Sequence, residues 1–177
     1  MTEVYTNNSL CQTLYRLRLV PLLTLLVGHL DLAVAESPAI RSIDGTYELT
    51  KRVMADGTVL SPPSVSGLYT LRRGRFHLSL FFKNGDGTIA SESSNGHYTF
   101  SAEKYCEWID FTIRNNLDKP GVATDAPVLE DHCTRVISKH GRFTFSPPGE
   151  GVATSFGRDE FTASLGSEFV DHWKKIE

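Results

Sequence analysis

Residues 66–82, SGLYTLRRGRFHLSLFF, alternate apolar and polar side chains on both sides of an Arg73-Gly74 pair. Alternation of period two is the mark of a strand with one buried face, and a Gly in a two-residue connection supplies the positive φ that a tight hairpin needs. Taking Arg73-Gly74 as that connection pairs Arg72 with Arg75, Leu71 with Phe76, Thr70 with His77 and Tyr69 with Leu78. Tyr69, Leu71, Phe76, Leu78, Leu80 and Phe82 then share one face. Phe81 points the other way.

The same rhythm continues along the chain. GTYELTKRV sets Tyr47, Leu49 and Lys51 opposite Thr46, Glu48 and Thr50; GHYTFSAE sets Tyr98 and Phe100 opposite His97, Thr99 and Ser101; YCEWIDFTIR sets Ile109, Phe111 and Ile113 opposite Trp108, Asp110 and Thr112. Turn signals separate these runs at Asp56-Gly57, Asn84-Gly85-Asp86-Gly87, Asn95-Gly96 and Pro147-Pro148-Gly149. Residues 115–131, rich in Pro, Gly and Asp, read as a long loop. The one helical contender, GSEFVDHWKKIE, also reads as a strand with Val170, His172, Lys174 and Ile176 on one side, and the strand reading is preferred. With 177 residues, 40% of them hydrophobic, one domain with a real core is expected. A succession of short strands must bury one face and protect its edges. The fold class expected is therefore all-β, a single antiparallel meander closing into a small barrel.

The first 35 residues differ in kind. Arg16 and Arg18 precede LVPLLTLLVGHLDLAVA, which ends in Ala33-Val34-Ala35, the order of a secretory signal peptide. The apolar run is broken by His29 and Asp31 and is shorter than the roughly 20 residues that span a bilayer, so no stable membrane insertion is expected after cleavage. The expected organisation is a leader over 1–35, a linker over 36–43 and the barrel over 44–177, in a periplasmic or secreted protein. Without Cys11, the mature chain keeps Cys106 and Cys133, each in a strand-like stretch; a disulfide between them and two buried thiols are both open. Formal charge is −3 with scattered Lys and Arg, which offers no basic stripe for nucleic acid.

Catalytic signatures are sparse. There is no Gly-x-Ser-x-Gly elbow and no phosphate-cradling Gly loop, so no cofactor is expected. The six histidines form no close-spaced pair; residues such as Glu130, Asp131, His132 and Cys133 are adjacent, and neighbours in extended chain point to opposite faces. No metal site is expected. Glu107 is the candidate catalytic group. If Ile109, Phe111 and Ile113 face inward, period two carries Tyr105 and Glu107 inward too, and burial raises a carboxyl pKa towards proton-transfer range. A slip of one residue turns Glu107 outward instead. Tyr69, Leu71, Phe76, Leu78, Phe82, Tyr98, Phe100 and Phe111 are the candidate ligand-binding wall, equally able to fill a solid core.

Laid out this way, the chain resembles the bacterial lipocalin-like domain family. The resemblance rests on Gly45-Thr46-Tyr47-Glu48-Leu49, where the family pattern carries Gly-x-Trp, on Asp56-Gly57, on PPSVSGLYTLRRGRF, and on Gly96-His97-Tyr98; it covers roughly residues 44 to 105. It implies a calycin-type barrel with an internal cavity. Some similar barrels carry small apolar ligands, and others catalyse cyclisation or isomerisation. Two functions follow as expectations: binding of a small apolar or amphipathic molecule in the lumen, or cofactor-independent cyclase or isomerase chemistry using Glu107 or a tyrosine hydroxyl. A partner-binding module acting through its outer face or the 115–131 segment is a third. The oligomeric state is not legible.

Overall fold

The computed structural model describes residues 42–177 apart from 84, 118, 126–130 and 150. The segment read as a leader lies outside the described residues. In chain order the strands are β1 (Gly45–Met54), β2 (Val59–Leu60), β3 (Val65–Arg72), β4 (Arg75–Lys83), β5 (Ile89–Phe100), β6 (Lys104–Asn115) and β7 (Val122–Asp125). They continue as β8 (Cys133–Arg135), β9 (Ile137–Lys139), β10 (Arg142–Phe145), β11 (Val152–Phe156), β12 (Glu160–Leu165) and β13 (Phe169–Lys175). Among the described residues there is no helix.

Every ladder is antiparallel, and the order is β7-β6-β5-β4-β3-β1-β13-β12-β11-β10-β9. The C-terminal strand sits beside β1, so the two ends of the domain meet in mid-sheet. The sheet curls into a barrel through one short piece of chain. Within it β8 pairs Lys104–Cys106 of β6 while β9 pairs β10, and the buried Val136 between them donates its N–H to the Glu103 carbonyl at 2.8 Å. At the other end of β6, Thr112–Asn115 is edged by β7 instead. Closure at one end and a separate edge strand at the other leave a barrel that opens towards β7.

The hairpin reads as its alternation predicts. Arg72 pairs Arg75, Leu71 pairs Phe76, Thr70 pairs His77 and Tyr69 pairs Leu78. Arg73 and Gly74 have φ of 51° and 76°, the two left-handed residues of a type I′ connection, whose twist matches that of the strands. Phe81 lies on the outer face, 48% exposed.

Two bulges reset the strand phase where alternation predicts none. In β1, Leu49 pairs Trp173 but Lys51 pairs His172, leaving Thr50 as the extra residue, and from there Arg52 rather than Lys51 faces the interior. In β6, Asn95 is opposite Phe111 and Gly96 opposite Ile109, so Asp110 is extra. Tyr105 and Glu107 stay inside, and after the bulge Thr112 takes the inner face while Phe111 and Ile113 turn out, 40% and 37% exposed. The inward placement of Phe111 and Ile113 is thus corrected by one inserted residue. Two local readings change with it. Asn95-Gly96 is not a turn but the bulge site inside β5, and the 115–131 segment is not all loop, since it contains β7.

The core is aromatic. Ring pairs Trp173–Phe161, Phe161–Phe156, Phe156–Phe145, Phe145–Tyr105 and Tyr105–Tyr98 stack in succession at centroid distances of 5.2, 4.5, 5.6, 4.4 and 6.1 Å. This belt crosses six strands. Tyr47 meets it edge-on at Phe161, 5.0 Å away, and donates its hydroxyl to the Ile43 carbonyl at 3.0 Å. Ile43, at the end of the segment read as linker, is itself core, 1% exposed.

Candidate functional site

Large rings on a curved sheet do not fill the axis, and a cavity of about 120 Å³ remains inside. That is several times the roughly 10–15 Å³ one water requires by the same measure. Its wall is built from both halves of the chain: Tyr69, Leu71, Phe76 and Leu78 from the β3–β4 hairpin, and Phe145, Phe156, Phe161 and Trp173 from β10–β13. Leu78, Leu80, Val152 and Phe169 are shared with an outer vestibule of about 440 Å³, which adds Phe82, Ile109 and Leu117. The lumen is therefore a deep apolar chamber entered through a wider mouth.

Few polar groups reach the chamber, and they are organised. Glu107, 2% exposed, lines it from β6 and accepts a very short hydrogen bond from the Tyr105 hydroxyl, two residues back on the same inner face. Burial pushes the Glu107 carboxyl up to about 6, and the hydrogen bond from Tyr105 pulls the other way. Tyr105 is raised well above a normal phenol, first by burial and then by its neighbours Tyr69 and Glu107. Its hydroxyl stays protonated at neutral pH and acts as a donor. Among the described residues no Lys, Arg or His forms an ion pair with Glu107.

The second polar element is Arg52 with Asp171. The β1 bulge aims Arg52 inward and its register partner on β13 is Asp171. Nε and Nη2 of the guanidinium donate to the two carboxylate oxygens at 2.6 and 2.7 Å, a bidentate pair with both side chains largely buried. The guanidinium also lies over the Phe169 ring at 3.7 Å and the Phe82 ring at 4.7 Å. At the mouth, Arg114 contacts Glu92 at 3.4 Å and Asp125 at 3.0 Å, and Ser94 bonds Thr112 at 3.0 Å.

Of the residues expected to form the wall, Tyr69, Leu71, Phe76 and Leu78 line the chamber and Phe82 lines the vestibule. Three stand elsewhere. Tyr98 is buried beside Tyr105 and donates to Asp44; burial first, and then the Asp44 carboxylate, raises its pKa far above that of a free phenol. Phe100 packs on Phe143 and Phe145 in the core, and Phe111 is outside. Glu107 is in the chamber with Tyr105 and Tyr69 around it. Cys106 and Cys133 are register partners across β6 and β8, joined as a disulfide with Cα atoms 4.0 Å apart. Sequence reasoning missed Arg52, Asp171 and the ring belt. Asp171 carried a signal, sitting at period two between Phe169 and Trp173. Phe143, Phe145, Phe156 and Phe161 likewise alternate with polar residues.

No protein-family model matches this chain, and no curated protein does. Among solved structures it is similar to a lipocalin-like protein from Bacteroides uniformis ATCC 8492, at 15% identity, covering 75% of this chain and 97% of that one with a TM-score of 0.32.

Proposed function

We propose that this protein is exported and binds a small amphipathic molecule in its lumen. The observation that carries the reading is the chamber itself: close packing is the rule in protein interiors, yet here an aromatic-walled space persists with a few convergent polar groups at its side. Export is supported by the leader-like order of residues 16–36 and by the cross-strand cysteine pair, since disulfides persist in oxidising compartments. The test is uptake of the neutral fluorophore N-phenyl-1-naphthylamine. Wild type is expected to enhance its emission saturably. Ala163→Phe, which places a ring in the chamber, is expected to abolish the response at unchanged near-UV circular dichroism. A response that survives the filled chamber contradicts lumenal binding.

A second reading has its own observation. Glu107 is a buried carboxyl held near pKa 6 beside a protonated phenol in an apolar chamber, which is the equipment for moving a proton on a held substrate without a cofactor. Proton exchange from a weakly acidic C–H of a bound ketone, followed by deuterium incorporation, distinguishes it. Incorporation lost in Glu107→Gln favours an isomerase-type enzyme, and none in wild type favours a carrier.

A further inference from the structure

We infer that the lumen takes a small organic ammonium, whose cationic head sits against the Glu107 carboxylate while its apolar body lies along the aromatic wall. The inference rests on the lumenal-binding reading and adds the chemical class of the ligand.

Among the described residues, the chamber's charged lining residues are Arg52, Asp171 and Glu107. Arg52 and Asp171 cancel each other: two guanidinium nitrogens are committed to the two carboxylate oxygens, and the guanidinium plane is covered by the Phe169 and Phe82 rings. An anionic ligand therefore finds no cation presented to it. What is left is one carboxylate, 2% exposed, with a phenol donor on Oε2 and no cationic partner among the described residues. The vestibule does not reverse the sign, because Arg114 is placed between Glu92 and Asp125.

A buried carboxylate without a counter-ion is costly. A ligand that supplies the positive charge removes that cost and adds a charge-assisted hydrogen bond in a site sheltered from water. The remaining wall suits the rest of such a ligand. Tyr69, Leu71, Phe76, Phe156, Phe161 and Trp173 give that wall an apolar surface against which the ligand's methylenes are buried. A neutral alcohol gains the wall but not the charge pairing. A carboxylate ligand meets Glu107 as a like charge.

Isothermal titration of the full chain at pH 7.5 with three probes of one shape, 2-phenylethylammonium, 2-phenylethanol and phenylacetate, tests this. The ammonium is expected to bind about tenfold or more tighter than the alcohol, with phenylacetate weakest. In Glu107→Gln the ammonium is expected to lose about tenfold while the alcohol stays within about threefold. Glu107→Asp, which keeps the charge, is expected to retain the order of the probes and guards against a folding defect in the amide variant. Alcohol or phenylacetate binding as tightly as the ammonium overturns the ammonium assignment and leaves lumenal binding standing. If none of the three binds at millimolar concentration, the lumenal reading fails and this inference falls with it.

Discussion

Removing Asp171 while keeping Arg52 is the sharpest perturbation of this barrel. The pair is bidentate at 2.6 and 2.7 Å, with side chains 12% and 5% exposed, and lies against the chamber. Charge centres about 4 Å apart at an effective dielectric constant of about 20 attract by about 4 kcal/mol. Loss of one partner from a buried pair costs about 3–5 kcal/mol because the other charge stays buried alone. Asp171→Leu is therefore expected to lower the urea-unfolding free energy by about 3–5 kcal/mol at unchanged m-value, or Tm by about 10–15 °C for a domain of this size. Arg52→Met is expected to cost a similar amount. The double variant, with apolar groups of similar volume on both strands, is expected to cost less than either single one, because it removes two desolvation penalties together with their attraction. Single variants within 1 kcal/mol of wild type, or a double variant as unstable as the sum of the singles, would refute the view that these charges are desolvated and matched only to each other.

Glu107 makes stability depend on pH in a definite direction. Its folded pKa of about 6 lies above the usual 4.5, so the folded state holds its proton longer and stability falls as pH rises through that window. The difference amounts to about 2 kcal/mol. Glu107→Gln is accordingly expected to be about 2 kcal/mol more stable than wild type at pH 7.5 and equal to it at pH 4, by urea denaturation at both; an equal gain at both values contradicts the assignment to ionisation. The Cys106–Cys133 bond closes a loop across a sequence separation of 27, and its reduction is expected to cost about 3.5 kcal/mol in chain entropy. Thiol titration of the unfolded, unreduced chain from Glu36 onward, which lacks Cys11, should find no free thiol, and two would contradict the bond. At the β6 bulge, a Cβ on Gly96 would meet the Trp108 carbonyl oxygen at 2.0 Å and the Phe76 ring at 2.6 Å. Gly96→Ala is expected to lower stability by about 2 kcal/mol or more, and a neutral result would mean that the bulge yields easily.

Local alternation carried the hairpin because its register depends only on the chain between residues 65 and 83, where the Arg73-Gly74 connection leaves no freedom. The same logic placed Tyr69, Leu71, Phe76 and Leu78 on the chamber wall. It failed at Phe111 for a specific reason: Ile109, Phe111 and Ile113 keep an apolar rhythm straight through the bulge, so hydrophobicity gives no sign that Asp110 is an extra residue. Glu107, on the near side of the bulge, kept its inward phase. Thr50 hid the β1 bulge in the same way and with it the inward turn of Arg52. The Arg52–Asp171 pair joins residues 119 apart, a contact that exists only once β13 is laid beside β1. The ring belt was partly visible as alternation in residues 142–173. Its continuity depends on the order of strands round the barrel, which no local pattern reveals.

The most direct test of a binding lumen is native mass spectrometry of the full chain compared with its denatured mass. The expected native mass exceeds the denatured one by a single small molecule that is lost on unfolding and absent from Ala163→Phe. A bare native mass, together with no uptake of N-phenyl-1-naphthylamine by the same sample, would contradict it.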